Sequence, residues 1–449
     1  MTLHEQSRLV AASALEEADK RYLWHPFTQQ QAWEAEPQLI IERAEGCWLI
    51  DVDGNRYLDG VSSLWVNVHG HCRPEINRAI AAQLERMAHS TFLGLSHPPG
   101  IELARRLVEL APGALSRVFY SDTGAAAVEI ALKMAFQYWR QCADPQPQKT
   151  KFFCLRNAYH GDTVGAMSVG GIELFHQVYH PLFFPTVKAG APDELAPIEA
   201  IELAIATHAD ELAAVVIEPL VQGAAGMLVY PEGYTRAVQD IARRHGLLVI
   251  VDEVATGFGR TGTMFACERE GVEPDLMAVA KGLSGGYLPL AATLATEAIY
   301  RAFLGTAEEQ RTFYHGHTYT GNPVACAAAL ANLDLFDQDQ TLVLLQDKIA
   351  LLGAWLGKMR AHPLVGDARQ CGFMAGVELM RDPAAKTPFA AAEKVGVRVI
   401  KAARRRGAII RPLGDVIVLM PPLAISADEL GRLLAAVEDS IDEVAGELR

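Results

Sequence analysis

Short apolar runs alternate with stretches of helical periodicity between roughly residue 115 and residue 300. Five of these runs are rich in aliphatic, β-branched or aromatic residues and predict the strands Arg117–Tyr120, Lys151–Leu155, Ala213–Ile217, Leu247–Val251 and Leu276–Ala280. The segments Glu129–Arg140 and Tyr234–His245 are typical of the helices that connect such strands. Because each strand is separated from the next by enough chain for a crossover, the pattern predicts a large α/β lobe with a mostly parallel sheet.

The two ends of the chain have a different pattern. Residues 39–60 are typical of a hairpin-rich segment with a D-G-N turn, and residues 364–449 mix strands with helices. In the second segment we predict the strands Gly376–Leu379 and Val416–Leu419 and the helices Ala392–Arg405 and Ala427–Leu448. A smaller α+β lobe built from both chain ends is therefore expected. The expected division is an N-terminal arm with part of the small domain in residues 1–75, a large domain in residues 76–340, and the remainder of the small domain in residues 341–449.

The composition is that of a soluble globular protein, since half of the 449 residues are hydrophobic and 21% are charged. The net charge of −14 disfavours binding to nucleic acid or to an anionic membrane surface. No apolar run approaches the ~18 residues of a membrane span, and the N-terminal segment lacks the apolar run of a signal peptide. The seven cysteines are scattered without a C-x-x-C pair, which is typical of reduced thiols. These features predict a cytoplasmic protein that acts on small molecules.

Polar residues follow three of the predicted strands, at the sheet edge where open α/β folds bind ligands. The first such segment, Ser121–Ala126, leads directly into a predicted helix. Its small residues let backbone N–H groups approach an anion, and the helix N-terminus adds a favourable potential. The alternative is an ordinary strand-to-helix turn capped by Thr123.

The other two strand ends carry a carboxylate and an amine. Asp252 follows five apolar residues, and a carboxylate at the end of a buried strand has to be paired or hydrogen-bonded. A protonated pyridine nitrogen is one suitable partner, and a structural acid is the alternative. Lys281 also follows an apolar run, where a buried amine can lose its proton and form an imine with an aldehyde. The alternative for Lys281 is a surface lysine whose charged end reaches water.

A glycine-rich segment and two histidine pairs give weaker evidence about ligand binding. Gly257–Gly262 matches G-x-G-x-x-G, but no convincing helix begins after it, and no acid stands about 20 residues later at a second strand end, so nicotinamide binding is disfavoured. We interpret this segment as an active-site loop that presents Arg260. Both Arg260 and Glu218 have two open alternatives, a structural role or direct substrate contact. The H-G-H pairs at residues 69–71 and 315–317 lack recognisable zinc spacing, so no metal is expected.

Six motifs together identify a family. They are S-D-T-G-A-A at residues 121–126, Y-H-G-D at 159–162, I-E-P at 217–219, D-E-V at 252–254, A-K-G at 280–282 and G-H-T-Y-T-G-N-P at 316–323. In this order they resemble the class III aminotransferases, which are fold-type I pyridoxal-phosphate enzymes, over nearly the whole chain. The resemblance implies a pyridoxal 5′-phosphate cofactor bound by the large domain. It also implies a homodimer whose active sites form between the two subunits.

The resemblance also implies roles for individual residues. Lys281 would attach the cofactor and later move protons, Asp252 would pair with the pyridine nitrogen, and Tyr159 would stack on the cofactor ring and border the substrate. The residues that would hold the phosphate are Gly124 and Ala125, with Thr318 and His317 reaching from the other subunit. The residues that would contact the substrate are Phe27, Leu64, Trp65, Gly316 and Arg411, and a substrate carboxylate suits the guanidinium of Arg411.

Within the family, the chain resembles the branch that converts 8-amino-7-oxononanoate to 7,8-diaminononanoate in biotin biosynthesis. The stretches that carry this resemblance include W-H-P-F-T at residues 24–28, G-V-S-S-L-W at 60–65 and R-P-L-G-D at 411–415. It implies S-adenosylmethionine as the usual amino donor. Phe27 stands where many members have Tyr and Leu64 where many have Trp, which leaves lysine as an alternative donor. The alternative functions are another ω-aminotransferase acting on diamines or ω-amino acids, or a same-fold aminomutase.

Overall fold

The computed structural model describes residues 3–191 and 194–448. Residues 1, 2 and 449, which fall in the expected N-terminal and C-terminal domain segments, and residues 192–193 lie outside the described ranges. Its α-helices are Leu3–Tyr22, Gln30–Glu34, Pro74–Arg86, Pro98–Leu110, Gly124–Gln141, Val164–Val169, Glu173–His176, Ile198–His208, Tyr234–Arg244, Glu297–Ala302, Pro323–Gln338, Thr341–Met359, Val395–Arg405 and Ala427–Glu447. All four predicted helices are present, with shifted ends. Within the described ranges, no helix has the length and apolar character needed to cross a membrane.

A seven-stranded sheet forms the middle of the fold. Its strands, in spatial order, are Leu115–Ser121, Ala291–Thr296, Leu276–Val279, Leu248–Asp252, Leu212–Ile217, Lys151–Leu155 and Thr186–Ala189. The last five strands in this order are all parallel to one another, whereas Ala291–Thr296 is antiparallel to both of its neighbours. The predicted α/β fold with a mostly parallel sheet is confirmed. Two of its strands, Ala291–Thr296 and Thr186–Ala189, are not predicted by the apolar pattern.

Helices cover both faces of this sheet, which explains why its central strands are continuously apolar. All six residues of Leu212–Ile217 are buried. The helix Gly124–Gln141 packs on one face through small side chains such as Ala127 and Ala131, which allow the helix to approach closely. The helix Tyr234–Arg244 packs on the other face. The parallel strands are therefore buried between two layers of helices.

Two smaller four-stranded sheets are also present, and the first of them combines strands from both chain ends. The first has the order Ile41–Glu45, Trp48–Asp51, Arg56–Asp59 and Ala408–Ile409, and its last two strands are parallel. The second has the order Val365–Cys371, Met374–Leu379, Val416–Leu419 and Arg411–Leu413, with antiparallel pairing throughout. A separate two-stranded ribbon pairs Val221–Gln222 with Leu228–Val229. The predicted hairpin-rich segment and the two predicted C-terminal strands are thus present.

Candidate active site

A cavity of about 680 Å³ opens beside the ends of the parallel strands. The structure brings six of the sequence-predicted site residues together in its lining: Trp65, Gly124, Ala125, Tyr159, Asp252 and Lys281. These residues come from distant parts of the chain and from both the central sheet and the N-terminal segment. The cavity is therefore the candidate active site.

One wall of the cavity is the start of the helix Gly124–Gln141. Thr123 caps this helix, since its Oγ1 accepts a hydrogen bond from the Ala126 N–H at 3.3 Å. The N–H groups of Gly124 and Ala125 have no acceptor within the helix because they belong to its first turn. A Cβ at Gly124 would lie 2.6 Å from Val254 Cγ1, so this position has no room for a side chain. The two alternatives for this segment coexist, because the capped turn also presents free N–H groups suited to a phosphate.

Asp252 is the last residue of its strand and is only 5% exposed. One carboxylate oxygen, Oδ2, lies 2.8 Å from Nδ1 of His160, and the other accepts a hydrogen bond from the Val254 N–H at 2.9 Å. Burial by itself lowers the pKa of His160, but the hydrogen bond to Asp252 and the charges of Asp252 and Glu218 raise it above its usual value. The strand end thus carries a fixed carboxylate that faces the cavity.

Lys281 follows the neighbouring strand Leu276–Val279 and begins a 3-10 turn, Lys281–Ser284. Its φ of +43° is uncommon for a residue with a side chain, and such strain is typical of functional sites. Its Nζ lies 5.4 Å from the centroid of the Trp65 ring. Burial lowers the pKa of the Lys281 amine, although the charges of Asp252 and Glu218 oppose this effect. A larger fraction of the amine is therefore neutral, which is the nucleophilic form.

Glu218 also lines the cavity, although the sequence left its role open. Its two carboxylate oxygens accept hydrogen bonds from the N–H groups of Tyr159 and Gly223, each at 3.1 Å. Burial raises the pKa of Glu218 to about 7. Glu218 therefore fixes the backbone at Tyr159 and contributes a carboxyl group that titrates near neutral pH.

The aromatic ring of Tyr159 borders the cavity, and its hydroxyl donates a hydrogen bond to Asp162 Oδ2 at 2.8 Å. Burial, followed by this hydrogen bond, raises the pKa of the Tyr159 hydroxyl above its usual value. The ring stacks on the imidazole of His176 with a centroid distance of 6.1 Å. Tyr159 is thus a neutral phenol held in a fixed orientation.

Arg411 and Phe27 form a separate pair. The guanidinium carbon of Arg411 lies 5.9 Å from the centroid of the Phe27 ring, which also packs edge-on against Phe175. Across residues 3–191 and 194–448, no carboxylate forms an ion pair with Arg411. Its fork of N–H donors is therefore available to a carboxylate ligand.

Three other sequence-predicted residues do not line this cavity. Leu64 is 48% exposed and lies in a left-handed turn, Ser62–Trp65. Gly316 and Thr318 are exposed, and the Thr318 carbonyl is hydrogen-bonded to His89 Nε2 at 2.8 Å. The cavity of a single chain is thus formed without these three residues.

His317 has an indirect link to the cavity. Its Nδ1 lies 2.9 Å from Oδ2 of Asp122, which lines the cavity beside Gly124. Asp122 belongs to the S-D-T-G-A-A motif but has no role assigned from the sequence. The contact between Asp122 and His317 joins residues 195 positions apart. No local sequence signal indicates a pair that is so distant in the chain.

The interpretation of Gly257–Gly262 as an active-site loop is corrected by the structure, because none of its residues lines the cavity. Arg260 is only 1% exposed, and its two terminal nitrogens donate hydrogen bonds to the backbone carbonyls of Asn67 and Pro421, each at 2.8 Å. These contacts support the structural alternative for Arg260. Within the described part of the chain, no group of three or more His, Cys, Asp or Glu side chains could hold a metal ion.

Pyridoxal phosphate, which the family resemblance implies, fits this set of groups. The N–H groups at Gly124 and Ala125 suit its phosphate, the Asp252 carboxylate suits its pyridine nitrogen, and the amine of Lys281, whose pKa burial lowers, suits its aldehyde carbon. The absence of room for a Cβ at Gly124 keeps the phosphate site open to backbone donors. Each chemical group of the cofactor thus has a matching group in one cavity.

Comparison with known proteins agrees with the geometry. Residues 29–441 match the family model Aminotransferase class-III. The chain is 53% identical to an adenosylmethionine-8-amino-7-oxononanoate aminotransferase of Geobacter sulfurreducens, over 96% of this chain and 98% of the relative. A crystal structure of the enzyme of that name from Methanocaldococcus jannaschii has a TM-score of 0.93 and 47% identity, covering 96% of this chain and 99% of the other.

A more distant solved structure carries a form of the cofactor. It is the ω-transaminase of Pseudomonas jessenii in complex with PMP, the pyridoxamine form, with a TM-score of 0.91 and 32% identity, covering 96% of this chain and 98% of the other. The predicted cofactor and fold type are thereby confirmed. From the fold, the cavity and these relatives together, the chain belongs to the class III aminotransferases and is a pyridoxal-phosphate-dependent transaminase.

Proposed function

We propose that the cavity is the catalytic centre and that its residues have the roles implied by the family. In this proposal Lys281 attaches the cofactor, Asp252 pairs with the pyridine nitrogen and Tyr159 stacks on the ring. The N–H groups of Gly124 and Ala125 hold the phosphate. The common position of these five residues in one cavity supports the assignment.

Pyridoxal phosphate supplies an electron sink that stabilises negative charge on the carbon next to the transferred nitrogen. The protein has to orient the C–H bond that breaks and to provide a base within reach. Lys281 is suited to be that base, because burial lowers the pKa of its Nζ and leaves an amine that can accept and return a proton. Asp252 is fixed through both carboxylate oxygens and keeps its charge at one place.

The proposed reaction is the amination of 8-amino-7-oxononanoate to 7,8-diaminononanoate, a step of biotin biosynthesis. The observation that carries it is the 53% identity to a relative of that name over almost its full length. The free guanidinium of Arg411 supports the proposal, since this substrate carries a carboxylate at the end of its chain. The proposed amino donor is S-adenosylmethionine, and lysine is the alternative because Phe27 and Leu64 depart from the usual residues.

A second candidate is another ω-aminotransferase activity on diamines or ω-amino acids. It is favoured by the similarity to the Pseudomonas jessenii ω-transaminase, whose fold matches over nearly the whole chain. The lower identity of 32%, against 53% for the biotin-pathway relative, makes it the weaker candidate.

The proposal includes an assembly and a location. The protein is a cytoplasmic homodimer, and Thr318 of one subunit, with His317 beside it, completes the phosphate site of the other. The exposure of Thr318 in the single chain is consistent with that role. Residues 76–340 form the large cofactor-binding domain, and residues 1–75 and 341–449 form the small domain with the N-terminal arm. The small sheet that pairs Arg56–Asp59 with Ala408–Ile409, and so combines both chain ends, supports this division.

The test incubates the cofactor-loaded protein with 8-amino-7-oxononanoate and either S-adenosylmethionine or lysine. The expected product is 7,8-diaminononanoate, detected by mass spectrometry with only one of the two donors. Lys281→Ala is expected to lose the covalently bound cofactor absorbance and at least about a thousandfold of the activity, since the proton-transfer base and the attachment point are both removed.

Tyr300→Phe is a suitable control, because Tyr300 lies outside the cavity and stacks with Arg117 at the edge of the sheet. Its activity should equal that of the unmodified protein. Diamine production that survives Lys281→Ala would contradict the proposed role of Lys281. Absence of diamine with both donors, together with turnover of other diamines, would favour the ω-aminotransferase candidate.

A further inference from the structure

The segment Tyr159–Gly161 contacts three separate parts of the cavity. The Tyr159 N–H donates a hydrogen bond to Glu218, the His160 side chain contacts Asp252, and Gly161 packs against Ala125. The third contact is so close that a Cβ at Gly161 would lie 2.4 Å from the Ala125 Cβ. Three residues in sequence thus connect the wall of the cavity, the carboxylate and the phosphate site.

His160 is the least explained of the three, since it does not face solvent and has no role derived from the sequence. It is 3% exposed, and its Nδ1 lies 2.8 Å from Asp252 Oδ2. An ionised carboxylate only accepts hydrogen bonds, so Nδ1 of His160 carries the shared proton. The Val254 N–H holds the other oxygen, Oδ1, at 2.9 Å. With a donor on each oxygen, the plane of the carboxylate is fixed.

The surroundings of Nε2, the second ring nitrogen of His160, bear on the role of Nδ1. Nε2 is buried and has no hydrogen-bond partner within the described residues. Leaving a buried polar atom unpaired is costly, so packing alone does not favour an imidazole at this position. Within the described residues, the hydrogen bond of the imidazole is the one to Asp252.

We propose that His160 is a positioning residue, whose Nδ1–H holds the Asp252 carboxylate in the orientation and charge state that keep the cofactor's pyridine nitrogen protonated. The inference rests on the proposed role of Asp252 and goes beyond it by assigning the group that controls Asp252. Two consequences follow. The Nδ1 proton should be detectable in the cofactor-free protein, and the protonation of the bound pyridine nitrogen should depend on His160.

The experiment uses pyridoxamine 5′-phosphate labelled with ¹⁵N in its ring, bound to cofactor-free protein, at a pH where the free ring nitrogen is deprotonated. The ring ¹⁵N chemical shift reports whether the bound nitrogen carries a proton. We expect a protonated nitrogen in the unmodified protein and a deprotonated one in His160→Leu, with about tenfold weaker binding of the pyridoxamine phosphate. His160→Asn can still donate an N–H to Asp252 and should restore the protonated shift.

His69→Leu is the matched control, because His69 is equally buried, also makes one hydrogen bond, to the Asn332 carbonyl, and lies outside the cavity. It should lower stability without changing the ring ¹⁵N shift. A ring nitrogen that stays protonated in folded His160→Leu, as judged by its thermal melting, would overturn the inference.

A measurement without cofactor covers the case in which His160→Leu does not fold. In the unmodified protein labelled with ¹⁵N-histidine, we expect a low-field Nδ1–H resonance of His160 that shifts or disappears in Asp252→Asn. An unchanged resonance in Asp252→Asn would overturn the inference. If the resonance responds as expected but Asp252→Asn binds the cofactor with an unchanged ring ¹⁵N shift, the contact between His160 and Asp252 stands and the proposed role of Asp252 fails.

Discussion

Among the ionisable side chains that line the cavity, Lys281, Glu218 and His160 have pKa values that their surroundings shift. Burial lowers the pKa of the Lys281 amine and raises that of the Glu218 carboxyl to about 7, so both groups shift toward their neutral forms. His160 differs, because its contact with Asp252 raises its pKa despite burial. The site thus combines an amine of lowered pKa with one fixed hydrogen-bonded pair, His160 and Asp252.

Glu218 makes the stability of the cofactor-free protein depend on pH. Its pKa is about 7 in the folded protein and 4.5 as the ordinary value. As the pH rises from 4.5 toward 7, the unfolded state releases the proton first, so this group progressively destabilises the folded state. We expect Glu218→Gln to remove this effect. The unfolding free energy of the variant, relative to that of the unmodified protein, should rise by an amount on the order of 3 kcal/mol as the pH increases from 4.5 to 7.

The measurement is urea unfolding of both cofactor-free proteins at several pH values in that interval. A difference in unfolding free energy that stays constant with pH would contradict the raised pKa of Glu218. A difference that shrinks as the pH rises would contradict the sign of the linkage.

At the scale of single elements, the sequence predicts those strands whose residues are strongly apolar or β-branched. Lys151–Leu155 and Val416–Leu419 have the bounds that their apolar runs predict. Ala291–Thr296 was missed, because the sequence A-A-T-L-A-T contains four residues that do not favour a strand by themselves. It becomes a strand because it is hydrogen-bonded between two others in the sheet interior. Position in the sheet here overrides local preference.

The same reasoning explains which site residues could be predicted. Asp252 and Lys281 stand where apolar runs stop, so their strand-end positions follow from the local pattern. The partner of Asp252 is His160, which lies 92 residues away in the chain, and no local pattern relates the two. The resemblance to the family indicated the motif around His160 without giving its contact. Only the assembled sheet brings the pair together.

The segment Tyr159–Gly161 gives a prediction at this scale. Gly161 has a φ of +121°, and a Cβ there would overlap the Cβ of Ala125. We expect Gly161→Ala to lower the unfolding free energy by about 3 kcal/mol, and to weaken binding of pyridoxamine phosphate because Ala125 is displaced. Urea unfolding and calorimetric titration of the cofactor-free protein measure the two effects.

Gly431→Ala provides the comparison. Gly431 lies within the helix Ala427–Glu447, and an added Cβ there meets nothing within 4 Å. The same chemical change should therefore stabilise the protein by about 0.5 to 1 kcal/mol and leave cofactor binding unchanged. Equal effects of the two substitutions would contradict the close contact between Gly161 and Ala125.

At the scale of the whole molecule, the cavity depends on contacts between distant parts of the chain. The buried guanidinium of Arg260 joins the backbone of Asn67 to that of Pro421. Asn67 lies two positions after Trp65, which lines the cavity, and Pro421 lies two positions after the end of the strand Val416–Leu419. Arg260 therefore links three distant segments of the chain, one of which follows a residue that lines the cavity.

A shared active site in the proposed homodimer can be tested by mixing two inactive variants. One is Lys281→Ala and the other is Thr318→Asp, whose carboxylate would repel a cofactor phosphate. If Thr318 serves the partner's cavity, each mixed dimer has one cavity with both defects and one with none. We expect activity to return on mixing, up to about a quarter of that of the unmodified protein for random exchange of subunits.

Activity is measured after the two variants are dissociated and reassociated together, with each variant treated alone as the control. If Thr318 instead serves its own chain, every cavity in a mixed dimer carries one defect. No recovery in mixed dimers that have been shown to form would then contradict the proposed sharing.

The pairing of Leu58 with Ala408 has a consequence for folding during synthesis on the ribosome. The N-terminal hairpin leaves the ribosome long before the strand that completes its sheet. At ~5–20 residues per second, about 350 residues of further synthesis take roughly 20 to 70 seconds. Throughout that interval Leu58, which is 3% exposed in the finished fold, lacks the strand beside it. The nascent chain therefore has to keep an unfinished sheet edge from aggregating until its own C-terminal part arrives.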